Sequence, residues 1–302
     1  MRKVLPLLVL TLFLAPDALG WGQTGHRVVG YIAQQQLSPE AQDRLNELLG
    51  GESLAQASTW MDEIRSDDAY DHTGTWHWVT IPDGMRYAET DKNPDGDALG
   101  KTKEIIGALK ADTLSTETER EYVRYLVHLV GDLHQPLHVG TGDDRGGNEA
   151  TVIWFGEPSN LHSVWDSGMI DQKQLSFTEL ARFTMQTTDD ARYGDWVDTP
   201  AEAWAHESMT YRDQVYDLPQ DRAIGYEYTY KNFGTLKKRL LQAGVRLARR
   251  ALRLRLGEPQ LTRDEDALWL SFSLPRGAFA TAVLRELIAH PSLGTPPTDR
   301  SL

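Results

Sequence analysis

The stretch "YLVHLVGDLHQPLH", residues 125–138, joins an apolar helical run to an abrupt stop. Hydrophobic residues recur at helical spacing as far as Leu133, and Pro136, which has no N–H for the helical ladder, ends the helix and turns the chain. Three of the nine histidines of the chain fall inside this stretch, beside Asp132. His128 and Asp132 are four residues apart, so they share one helix face, one turn apart, and both can point at one ion. His138 follows beyond the proline turn. A second pair at the same spacing, His162 and Asp166, lies in "NLHSVWD" at 160–166. Two such pairs and one further histidine suggest more than one metal ion. Upstream stand Asp62 in "STWMDEIR" (58–65), His77 in "TWHWVT" (75–80) and His26 in "WGQTGHRVVGYIA" (21–33). His72, His134, His206 and His290 are expected at the surface, in the core or behind the ligands.

Composition narrows the chemistry. The chain of 302 residues is 40% apolar, enough for one large domain or two small ones. It has no cysteine, which excludes disulfides, thiolate zinc sites and cysteine nucleophiles. A transition-metal site must therefore use His, Asp, Glu or backbone ligands. At the N-terminus Arg2 and Lys3 precede an apolar run from Val4 to Ala15, then "PDALG" with small residues at 18 and 20. That is the layout of a secretory signal peptide, residues 1–20. The run of 12 residues falls short of the ~20 that a spanning helix needs, so no stable membrane anchor is expected. Export to the periplasm or the medium follows, with Trp21 as the first mature residue. Residues 21–302 carry 29 basic and 43 acidic side chains, a net charge of −14. Such a surface repels nucleic acid at long range unless bound cations supply local positive charge.

Helical periodicity dominates, and the spacing predicts helices near 24–36, 38–49, 54–66, 100–110, 117–131, 175–189, 200–216 and 227–255. Ser38-Pro39-Glu40 is a strong start signal. "EATVIWF" (149–155) has strand composition and reads as half of a small hairpin, while 81–99 and 140–148 read as long loops. The fold class is all-α, with long functional loops. The 231–255 segment carries nine basic residues and no acidic one, and is expected as a solvated face whose leucines and valine point to the core. Beyond 256 the composition shifts, giving a domain over 21–256 and an appended tail over 257–302. In the tail "LWLSFSLPRGAFATAVLRELI" (268–288) reads as strand, turn and short helix. It is similar to the C-terminal end of the tRNA pseudouridine synthase D family, without that family's catalytic parts.

Taken in order, "WGxxGH" at 21–26, "WxDxxR" at 60–65, "WHW" at 76–78, "HLVGDLHQPLH" at 128–138 and "GGN…NLHSVWD" at 146–166 resemble one family. It is the zinc-dependent, single-strand-specific nuclease and 3′-nucleotidase family of fungal extracellular nucleases and plant bifunctional endonucleases. The resemblance implies a phospholipase C-like multi-helix fold holding three zinc ions. One ion would take Asp62, His77, His128 and Asp132. A second would share Asp132 and add His26 with the amine and carbonyl of Trp21. The third would take His138, His162 and Asp166. It further implies in-line attack on phosphorus by a water activated between the paired ions, with the third at the departing 3′ oxygen, giving 5′-phosphate ends. Arg65 would brace the phosphate beside Asp62 and Asp132. Trp78 would stack an unpaired base, at ~1–3 kcal/mol per base. Thr80 stands where some fungal members carry a base-binding aspartate, which implies relaxed base preference. Implied partners are single-stranded DNA and RNA and 3′-nucleotides, acted on by a monomer. Two rivals remain open at this stage. A zinc phospholipase C usually closes its third site with His-x-x-x-Glu, whereas this chain has His162-x-x-x-Asp166; a non-catalytic zinc-binding protein would hold metal without turnover.

Overall fold

A computed structural model describes residues 21–111, 113–186, 193–197, 199–250, 260–263 and 268–271. The presumed signal peptide, residues 251–255 of the last predicted helix, and most of the tail lie outside the described residues. The architecture is mostly helical with a few short strands, as the all-α reading expects.

The first helix, α1 (Gln23–Gln35), buries Val28, Val29, Ile32 and Ala33 along one stripe and packs against the last, α13 (Tyr226–Arg250). α2 (Pro39–Leu48) starts where expected: the Ser38 hydroxyl accepts from Ala41 N at 3.3 Å and proline fills the first helical position. The single helix expected over 54–66 is instead broken into α3 (Leu54–Ala57), α4 (Trp60–Glu63) and a 3-10 turn, Ile64–Ser66. The cause lies in the backbone pairing. Asp62 N donates to Thr59 O rather than to Ser58 O, which leaves the Ser58 carbonyl for the ring of His128 at 2.7 Å. A 3-10 stretch, Asp68–His77, follows.

α5 (Ala98–Ala111) lies against α6 (Thr116–Leu133). Ser115 caps α6, Glu117 and Glu119 in its first turn complement the helix dipole, and its second half is buried from Tyr125 to Leu133. The helix ends at His134 and Pro136 opens a 3-10 turn to His138. Two residues of strand, β1 (Val79–Thr80), then pair in parallel with β2 (Val139–Gly140), tying the segment after His77 to the segment after His138. The expected hairpin is present as β3 (Thr151–Trp154) and β4 (Glu157–Asn160), and β3 gains a parallel partner in β5 (Ala223–Ile224).

The remaining helices are α7 (Leu161–Ser163), running into a π-helical turn at Val164–Gly168, α8 (Met169–Asp171), α9 (Phe177–Met185) and α10 (Tyr193–Val197). The helix expected over 200–216 is two pieces, α11 (Ala201–Met209) and α12 (Arg212–Val215). In the tail β6 (Gln260–Arg263) pairs antiparallel with β7 (Leu268–Ser271), so a strand stands where one was read. A correction concerns α13. Its leucines and valine do face the core, but Arg239 and Arg246 are also fully buried. Both pair with Glu207 of α11 at 2.7 Å, and Arg246 also meets His134 Nε2 at 2.8 Å. They are internal ties between helices, and not part of a solvated basic face.

Candidate metal centre

α6 carries His128 and Asp132 on the side facing α1, and α1 presents His26 to them. Gly131 makes this approach possible, since a Cβ there would lie 2.9 Å from His26 Nδ1. Without one, the His26 ring stacks on that of His128 with centroids 3.8 Å apart. Asp62 enters from α4 and His77 from the end of the 3-10 stretch. Around Asp132, His26 Nε2 stands 3.3 Å from Oδ1, while His77 Nδ1 and His128 Nε2 each stand 3.3 Å from Oδ2. Asp62 Oδ1 lies 3.7 Å from His128 Nε2 and 4.0 Å from His77 Nδ1.

A second cluster adjoins the first through the proline turn. His162 Nε2 lies 3.0 Å from Asp166 Oδ2, and His138 Nε2 lies 3.7 Å from Asp166 Oδ1. The ring of His162 is held by Gly146, whose carbonyl accepts from Nδ1 at 2.6 Å. Gly146 has φ +62, and a Cβ there would meet Leu137 O at 2.3 Å, so only glycine carries the loop this close. The carbonyls of His77 and Ser58 hold His138 and His128 in the same way, at 2.6 and 2.7 Å. With Nδ1 donating to the backbone, these three rings turn Nε2 into the clusters, where His128 Nε2 meets His77 Nδ1 at 3.1 Å.

The donors converge on sites that protein atoms do not satisfy. Both ring nitrogens of His26, both oxygens of Asp62 and of Asp132, and Nε2 of His77, His138 and His162 are buried without a hydrogen-bond partner. Orphaned buried polar atoms cost about 1–3 kcal/mol each, which a divalent cation relieves. Three groups each bring one ligand atom per residue within 4.8 Å of one another: His26 with Asp62 and His128, His77 with His128 and Asp132, and His138 with His162 and Asp166. His128 belongs to both of the first two, so the donors of the paired sites interleave. Imidazole nitrogens and carboxylate oxygens without thiolates are a donor set that suits zinc.

The electrostatics agree with a site built to hold positive charge. Burial pushes His26 and His77 below the usual imidazole range, towards the neutral form that ligates. Burial also opposes charge on His128, but Asp132 and Asp62 outweigh it and raise its pKa to about 9. His138 is likewise raised to about 9, against burial, by Asp132 and Asp166. Burial works against ionisation of Asp132 too, yet His128 and His138 hold its carboxyl well below the usual range.

Of the other sequence-predicted positions, Trp21 is fully buried and its indole N–H donates to Gly131 O at 2.9 Å. The next residue, Gly22, donates its N–H to Asp166 O at 2.9 Å, so the segment at 21–22 reaches both clusters. Arg65 is half-buried, in the 3-10 turn just beyond Asp62. Trp78 is 43% exposed directly after the buried His77, and is not a core tryptophan. Thr80 is exposed in β1. His134 is buried, donating Nδ1 to Val130 O at 2.7 Å; burial with Arg239 and Arg246 nearby keeps it neutral. Sequence reasoning passed over Gln135, which is buried and donates to Asp166 Oδ1 at 2.6 Å. Its signal was a polar residue lodged between His134 and Pro136 in an otherwise fully buried string.

Comparison with known proteins accords with this arrangement. The S1/P1 nuclease family model matches residues 21–254. A second model, tRNA pseudouridine synthase D, matches only residues 227–287, at the end of the domain and into the tail. Endonuclease 4 of Arabidopsis thaliana is 30% identical over 278 residues, covering 80% of this chain and 92% of its own length. Nuclease S1 of Aspergillus oryzae is 27% identical over 282 residues, covering 82% and 96%. Nuclease P1 of Penicillium citrinum is 34% identical over 161 residues, covering 49% and 58%. The first match takes in every residue of both clusters, and the chain belongs to the S1/P1 nuclease family of zinc-dependent endonucleases, which hydrolyse nucleic acids.

Proposed function

We propose that the protein is an exported monomeric nuclease holding three zinc ions, which cuts single-stranded DNA and RNA to 5′-phosphate products and also removes phosphate from 3′-nucleotides. The observation that carries this reading is the convergence of unpartnered, buried His and Asp atoms in two adjoining clusters. Asp62, His77, His128 and Asp132 would hold one ion. His26, Asp132 and the amine and carbonyl of Trp21 would hold its neighbour, once residues 1–20 have been removed. His138, His162 and Asp166 would hold the third. When bound, zinc supplies Lewis acidity towards the phosphodiester and makes water acidic enough to serve as a nucleophile near neutral pH.

The chain's own residues do the rest. Asp132, with one oxygen facing His26 and the other facing His77 and His128, would serve both of the paired positions. Asp62 adds a second carboxylate, facing His77 and His128. Arg65, one turn on, braces the phosphate through a charge-assisted contact. The exposed indole of Trp78, anchored by the ligand His77, offers a face on which an unpaired base stacks. In a duplex the base faces are already stacked on one another, so this contact selects single strands. Thr80, with a neutral hydroxyl, reads the base edge weakly, which favours relaxed base preference.

The deciding experiment is metal analysis of the mature protein, together with digestion of matched single- and double-stranded DNA and RNA and of 3′-AMP. Three zincs per chain, faster cleavage of single strands, 5′-phosphate ends and release of inorganic phosphate from 3′-AMP are expected. Equal cleavage of duplex, or 3′-phosphate ends, would refute the reading.

A further inference from the structure

Gln135 lies between the two clusters and is not one of the proposed ligands. It is fully buried at the end of α6, and its two side-chain atoms have separate tasks. Oε1 accepts the Leu137 N–H at 2.5 Å, and Nε2 donates to Asp166 Oδ1 at 2.6 Å. The amide cannot be turned round. The Leu137 N–H needs an acceptor and an ionised Asp166 needs a donor, so the oxygen must face the turn and the nitrogen the carboxylate. The backbone of Gln135 is fixed as well: its N–H donates to Asp132 O at 2.9 Å, and its carbonyl accepts from His138 N at 3.0 Å. The side chain therefore issues from a segment tied to a residue of each cluster.

The consequence falls on Asp166. A carboxylate beside a cation can ligate through one oxygen or both. Gln135 holds Oδ1, which also faces His138 Nε2 at 3.7 Å, while Oδ2 faces His162 Nε2 at 3.0 Å. We propose that Gln135 is a positioning residue that fixes the orientation of the Asp166 carboxylate towards His138 and His162, and so sets the affinity of the third metal site. This rests on the three-ion reading given above. His138, His162 and Asp166 would supply three protein ligands, which would leave a position for substrate. Outer-shell partners of this kind typically contribute about 10–100-fold to metal affinity.

Two substitutions separate this role from a merely structural one. Gln135→Glu keeps an acceptor for the Leu137 N–H but, when ionised, offers Asp166 no donor. Gln135→Met removes both. Zinc content measured against buffered free zinc, at neutral pH, reads affinity without reference to turnover. For both variants the weakest-held of three ions should bind about 10–100-fold more weakly than in the unsubstituted protein, with the paired ions unchanged and the helical circular dichroism retained. Adding Gln135→Glu to His162→Ala should weaken zinc binding no further, because the site through which Gln135 acts is already lost. If Gln135→Glu binds three zincs as tightly as the unsubstituted protein while Gln135→Met does not, Gln135 only caps the turn and the inference falls. If Gln135→Glu weakens zinc binding equally in the His162→Ala background, it acts elsewhere and the inference also falls. If the unsubstituted protein binds only two zincs, the three-ion reading itself fails.

Discussion

Asp132 is fully buried with four histidines around its two oxygens, which is tolerable only for a group whose charge is met from all sides. If Asp132 is shared by two ions, as proposed, its replacement should be felt at both. Asp132→Ala is expected to lose the two paired zincs and nearly all hydrolysis, whereas His138→Ala loses mainly the third; metal content of the two variants checks this, and equal single-ion losses would contradict it. The raised pKa of His128 and of His138, each about 9 without metal, carries a second consequence. The raised pKa favours the protonated form of both rings at neutral pH without metal, whereas a ligating imidazole is neutral, so zinc binding at these positions should expel protons. Adding zinc to metal-free protein in weak buffer should release about two protons per chain from this pair, and the release should shrink as the starting pH rises through 9. Trp78 offers a third case. Trp78→Ala should weaken binding of single strands by ~1–3 kcal/mol while all zincs are retained, because the lost contact is a stack on an exposed face. Unchanged binding would move the base elsewhere.

At the scale of elements, the ligands were legible because α6 sets His128 and Asp132 by helical period, a local property. The break at Ser58 was not legible. Residues 54–66 have helical spacing throughout, yet the Ser58 carbonyl is claimed by His128, 70 residues away in sequence. That long-range hydrogen bond redirects α4 and brings Asp62 to the site. The pairing of β1 with β2 was equally invisible, since two-residue strands carry no periodic signal. The basic stretch in α13 misled for a related reason. Its composition suits a solvated face, and burial of Arg239 and Arg246 depends on the opposing Glu207 of α11 together with the carbonyls of His134, Trp204 and Trp196. Burial lowers the pKa of Arg239 to about 10, with Glu207 working against that loss. Glu207→Ala would strand two buried guanidinium groups and should destabilise the fold by about 3 kcal/mol or more, measured by denaturant unfolding of the zinc-loaded protein. Near-neutral stability would mean that the arginines find other acceptors.

At the scale of the whole molecule, the N-terminus is proposed to be part of the site. A free α-amine ligates through its lone pair, and an amide nitrogen has none to offer. A protein made with an uncleavable Gly or Met ahead of Trp21 should therefore fold, keep the third zinc, weaken the zinc near His26 and cut single-stranded DNA far more slowly. Full activity with three tightly held zincs would leave Trp21 only its packing and its bond to Gly131. Sequence alone determined which donors are on offer: the absence of cysteine, the two His/Asp pairs at helical spacing and the order of the motifs are all properties of the chain as written. It also determined the helical class, because amphipathic period is a local matter of which side chains share a face. Only the tertiary structure decided which donors meet and what holds them. Imidazole rings are oriented by carbonyls 16 to 70 residues away, at Gly146, His77 and Ser58. Those partners offer backbone atoms, which every residue type possesses, so no pattern of side chains could have marked them.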